Sequence, residues 1–147
     1  MIRSMIAAVA FVASTATAMA GMITVDSAHD VKTTLDRLEA AANKGGATVF
    51  ARIDHQANAK GIGMDMPASQ VLIFGNPKGG TPLMLANPEI GLDLPLRVHA
   101  FEKDGKTVMM YHDPEAVAKA HGLDPAMKPV QGAAGALKKL TAAAGAE

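Results

Sequence analysis

The chain has no cysteine and no tryptophan among its 147 residues, and only one tyrosine and four phenylalanines. The lack of thiols excludes a disulfide framework, a zinc-thiolate centre, covalent c-type haem attachment and a cysteine nucleophile. The shortage of rings leaves the core to aliphatic side chains and to methionine, of which there are ten, a flexible filler where aromatics are scarce. Neither sign of charge is in excess: 14 Lys plus Arg stand against 14 Asp plus Glu. A neutral chain lacks the basic footprint of a nucleic-acid binder, so no nucleic-acid partner is expected. No Gly-x-Ser-x-Gly elbow, phosphate loop or His-Glu-x-x-His helix is present either.

What is there begins with an export pattern. Arg3 is a short positive region, Met5 to Ala13 is an apolar run, and Ala18-Met19-Ala20 is a small-x-small cleavage site. An apolar run of this length falls short of the roughly 20 residues that span a bilayer. The pattern predicts a signal peptide over residues 1–20 and an exported protein, periplasmic or extracellular, with no membrane attachment after cleavage. The mature chain, residues 21–147, suits one core and one domain.

Along the mature chain, Met22 to Val25 reads as a strand, and Ser27 with Asp30 opens a helix whose Val31, Leu35, Leu38 and Ala42 share one face. Gly45-Gly46 ends it. Strands are expected over 48–55 and 70–74, and Thr81-Pro82 signals a short helix, with another turn of helix after Asn87-Pro88. Residues 97–102 and 107–112 form a hairpin about Asp104-Gly105, the residue pair that two-residue turns favour. Asp113-Pro114 caps a helix ending at His121-Gly122, and residues 130–144 form an Ala-rich helix whose final Gly and Ala are expected to fray. This order predicts an α+β fold: a single, mostly antiparallel sheet with helices on one face.

Ala51-Arg52-Ile53-Asp54-His55 with Ala59, Phe74-Gly75-Asn76-Pro77, Gly80-Thr81-Pro82-Leu83-Met84, Leu94-Pro95-Leu96-Arg97 and Tyr111-His112-Asp113-Pro114 together resemble the domain of unknown function 302 (DUF302) family, over about residues 25–123. The resemblance implies a compact α+β domain that tends to dimerise, with no established reaction. It emphasises Asp54, His55, Asn76 and Asp113, at strand ends where ligand-facing groups are commonly displayed. As turn and cap residues, Asn76 and Asp113 also have a purely backbone explanation.

Three functional classes remain open. The first is a small-ligand, metal or haem binding module, for which five His and, after cleavage, seven Met supply ligands suited to copper or non-covalent haem. Counting outward from Asp104-Gly105 pairs His99 with Met110 and Arg97 with His112, so His99, Met110 and His112 share one sheet face as a candidate metal site. The second is a hydrolase-like or other acid–base enzyme using His55 with Asp54 or Asp113. The absence of a serine in any recognisable triad motif weighs against it. The third is a structural or partner-binding homodimer. Gly79-Gly80-Thr81 adds a place where a helix start could present free amides to an anion.

Overall fold

A computed structural model describes residues 21–147; the expected signal peptide lies outside the described residues. In order, the elements are β1 (Met22–Ser27), α1 (Val31–Lys44), β2 (Thr48–Asp54), α2 (His55–Gly61), β3 (Ser69–Gly75), α3 (Pro77–Ala86), a 3-10 turn (Pro88–Leu92), β4 (Leu96–Lys103), β5 (Lys106–His112), α4 (Pro114–Ala120) and α5 (Lys128–Gly145). The five strands form one sheet in the order β1-β5-β4-β3-β2, antiparallel throughout. The fold is therefore α+β, with β1 and β2 at the edges. Among the described residues no helix is long and apolar enough to cross a membrane.

The hairpin register is the expected one, with Lys103 opposite Lys106, Phe101 opposite Val108 and His99 opposite Met110. Asp104 and Gly105 both take positive φ, 52° and 75°, the conformation that matches the turn to the twist of its strands. Period-two alternation then turns Val98, Ala100, Met109 and Tyr111 onto the face that meets the helices, where all four are buried. Leu72 and Phe74 of β3 join them, with Leu35 and Leu38 of α1 and Leu137 of α5 closing the core. A second cluster, Leu83, Ile90, Ala118 and Val130, packs α3, the 3-10 turn and α4 against the start of α5.

Three local expectations are corrected. The helix signalled by Thr81-Pro82 starts earlier, at Pro77: the Asn76 side chain accepts from the Lys78 amide and Pro82 sits inside the helix. A short helix, α2, follows β2 directly because the Asp54 carboxylate caps it by accepting from the Ala57 amide at 2.8 Å. The C-terminus does not fray. Ala144 is buried, the Gly145 carbonyl accepts from the Ala28 amide at 2.9 Å, and the Ala146 carbonyl lies 2.7 Å from His29 Nε2.

Gly145 passes so close to β1 that a Cβ there would lie 2.6 Å from the Asp26 carbonyl oxygen. Backbone cannot give way as a flexible side chain can. Gly145→Ala is expected to lower unfolding free energy by about 1–3 kcal/mol, read as a lower urea midpoint with an unchanged slope. An unchanged midpoint would mean that this end of α5 is free.

Candidate ligand groove and the sheet-face histidines

The residues emphasised by motif resemblance fall at opposite ends of the sheet. Asp54 and His55 follow the end of β2 that pairs with Gln70, whereas Asn76 and Asp113 follow the far ends of β3 and β5. Asp113 lies five residues beyond Val108, the β5 residue nearest the row of His55, which is about 16 Å along a strand. Asp113 therefore does not serve His55. It accepts from the Glu115 amide at 3.0 Å and caps α4.

Asp54 belongs to a network that ties α1 to the sheet. Its second oxygen accepts from Gln70 Nε2 at 3.0 Å, and Gln70 Oε1 in turn accepts from Arg52 Nε at 2.9 Å. The Arg52 guanidinium then reaches Asp36 at 2.6 Å, Glu39 at 3.3 Å and the Lys32 carbonyl at 3.1 Å. Hydrogen bonds from Lys32 and then Arg52 hold the Asp36 carboxyl below its usual range. A charged fork in a fixed geometry suits this bracing role.

On the face turned away from α1 and α5, the His99 ring stacks on Phe101 with centroids 4.7 Å apart and meets His55, at the start of α2, edge-on at 6.0 Å. His99 Nε2 lies 2.8 Å from the Ser69 hydroxyl. Ser69 was not singled out in the sequence; only the β3–β4 register, Ser69 opposite Phe101, brings it to the imidazole. The pair has the first two members of a nucleophile–base arrangement, but Ser69 is only 6% exposed. His99, Met110 and His112 do share a face, yet the ring nitrogen of His99 turns toward β3 while Met110 and His112 lie on β5. Among the described residues no group of three or more His, Cys, Asp or Glu is disposed to hold a metal ion.

A large concavity lies on the helical side, an apolar groove of about 960 Å³ walled by the end of α1, the start of α3 and one side of α5. It is at the upper end of the range typical for clefts that take drug-sized molecules. Three sequence features create it. Where it faces α1 and α3, α5 carries Gly132, Ala133, Ala136 and Ala143, too small to fill the space. A β-bulge between Val49 and Ala51 throws Phe50 out of register and into the groove wall, 56% exposed. Gly75 admits the Phe50 and Pro95 side chains close against β3. The Gly79 and Gly80 amides are not available to an anion there, since both donate to the Asn76 carbonyl at 2.9 and 3.0 Å.

A family profile described as domain of unknown function DUF302 matches residues 23–145. The chain belongs to the DUF302 family. A crystal structure of an uncharacterised conserved DUF302 protein from Bacillus stearothermophilus has the same fold, with a TM-score of 0.68 at 22% identity, covering 85% of this chain and 95% of that one. Two further relatives are named fluoride-specific ion channel FluC 1, from Brucella suis and Brucella abortus. Each is 41% identical over 127 residues, covering 83% of this chain but only 50% and 47% of the channel protein. This DUF302 chain thus spans about half the length of the curated relatives it matches.

Burial first, and the neighbouring His55 second, hold His99 below the ordinary imidazole value of 6.5. A histidine kept neutral in the fold makes the unfolded chain the better proton acceptor just below pH 6.5. Stability is therefore complete above 6.5 and is lost as pH falls toward the folded value. Following the His99 ring protons by NMR should give a midpoint below 6.5, moving partly back up in His55→Gln; a midpoint above 6.5 would contradict the burial argument.

Proposed function

We propose that this DUF302 domain is a non-enzymatic, exported binding module whose small-molecule ligand lies in the apolar groove between α1, α3 and α5. The groove itself carries this reading, and Gly132 supports it. A helical glycine costs about 0.5–1 kcal/mol relative to alanine, and a Cβ at Gly132 would meet nothing within 4 Å. Packing therefore gives no reason for glycine there, and its place on the groove wall leaves room for a larger side chain to enter the groove. The acid–base alternative rests on His55 with Asp54 or Asp113; Asp113 lies at the far end of the sheet, and the Asp54 carboxylate is engaged by the Ala57 amide and Gln70. For haem, the groove wall offers Met84 as a soft ligand but no histidine, a poor match to the usual axial sets.

The Brucella relatives bear on context. Ion conduction requires segments that satisfy their backbone within the bilayer, and the described residues contain no helix fit to span one. We assign the channel activity of those proteins to the half this chain does not match. The sheet face turned away from α1 and α5 favours a homodimer as the state of the module, because the half-buried Ile53, Val71, Ile73, Phe101 and Met110 lie on it.

The groove is tested with Nile red, a neutral apolar dye, against a protein that has no tryptophan of its own. Wild type should raise the dye's emission at micromolar protein, and Gly132→Leu should reduce binding about fivefold or more while leaving the thermal midpoint unchanged or raised. Equal binding by both proteins would remove the groove as the site. The dimer is read separately by light scattering: wild type should show twice the chain mass and Val71→Asp the single mass, and a monomeric wild type would contradict it.

A further inference from the structure

The charges on the groove wall narrow the ligand further. Of the side chains lining it, only Lys44 and Lys139 are charged; no Asp or Glu contributes. In a chain with balanced charge overall, an apolar groove bordered by cations alone is a local bias. One lysine comes from each of two helices packed together, α1 and α5. α1 and α5 run antiparallel: the Ala28 amide meets the Gly145 carbonyl at one end, and Arg37 reaches the Ala143 carbonyl at 3.0 Å further along. Seven residues on from Arg37 comes Lys44, and seven back from Ala143 is Ala136, with Lys139 one turn of α5 nearer the C-terminus. Lys44 and Lys139 thus border the groove from the two helices of the α1–α5 seam. Neither forms a salt bridge among the described residues.

Away from this seam the wall is mainly apolar, with Leu83, Met84, Leu94 and Pro95, and its polar members there are Asn76 and Thr81. From Pro129 to Ala143 the groove follows α5 for about 21 Å at the helical rise per residue. It is apolar along its length, and its two charged lining residues both come from the α1 and α5 walls. Lysine stems can lie along apolar surface while their charged heads remain in water, so an anionic group at the groove mouth would be met without burying either partner.

Resting on the groove as the ligand site, we propose that its ligand is an anionic amphiphile: a carboxylate or comparable head held by Lys44 and Lys139, with an unbranched acyl-type chain running along α5 toward Met84 and Pro95. The chain supplies affinity through burial of apolar surface. The lysine pair supplies orientation and discrimination against neutral and cationic molecules of the same length.

Displacement of Nile red separates the two levels of the claim. Dodecanoate, dodecanol and dodecyltrimethylammonium are compared below their micelle-forming concentrations, with wild type and with the double variant Lys44→Gln/Lys139→Gln. Dodecanoate should displace the dye best from wild type, and the double variant should weaken it by about fivefold or more without changing dodecanol. High salt should erode the dodecanoate advantage. Dye uptake with equal displacement by all three, or a double variant that weakens dodecanoate and dodecanol alike, would overturn the head-group assignment and leave the groove standing. Failure of wild type to take up the dye at all would sink both.

Discussion

The placement of α5 is the constraint on which the helical side of the molecule depends. This helix is rich in alanine and glycine and contributes few large side chains, yet it closes the core through Val130, Leu137 and Ala144. Its position is set at the C-terminal end, where Gly145 allows the helix to approach β1 more closely than any side chain would permit and the last carbonyls accept from Ala28 and Arg37. With that end fixed and α1 braced to β2 by Arg52, α5 meets α3 at its start, where Val130 packs with Leu83, and further along turns Gly132, Ala133 and Ala136 toward the groove. The small residues there leave a groove rather than a packed interface. In a protein of ordinary packing density an apolar space of this size forfeits dispersion contacts, so its persistence calls for a use.

The two faces of the sheet consequently have different characters. One is sealed by helices and carries the groove at its margin. The other displays an apolar stripe crossed by a stacked His99–Phe101 pair, with α2 and His55 folded against one end. In the Brucella relatives the corresponding domain occupies half of a longer protein.

Most of the fold was legible because its signals are local. Asp104-Gly105 sets the hairpin register, and with it the division of β4 and β5 into a buried and an open face. Asp30, Asn76, Asn87 and Asp113 all cap helical turns. The errors arose where two local signals compete or where the decisive contact is distant. Asn76-Pro77 and Thr81-Pro82 both resemble helix starts, and the first prevails because Asn76 accepts the early amides. Frayed ends are the ordinary fate of Gly-Ala termini, and only the β1 backbone against Gly145 reverses it. The groove was not legible at all. It arises from a bulge at Phe50 and from what α5 omits, and neither omission nor bulge has a periodic signature. Ser69 stayed hidden for a related reason: its partner His99 is 30 residues away and is brought near only by the β3–β4 ladder.

The central claim is that ligand is held between α1, α3 and α5 rather than on the sheet face or at the histidines. Backbone amide NMR of the protein titrated with dodecanoate tests it residue by residue. The account predicts shift changes concentrated at Lys44, Gly45, Gly75, Gly79, Gly80, Ala133, Ala136 and Lys139, with Ser69, His99 and Met110 unmoved. Changes centred on His55, Ser69 and His99, or none under conditions where the dye binds, would contradict it.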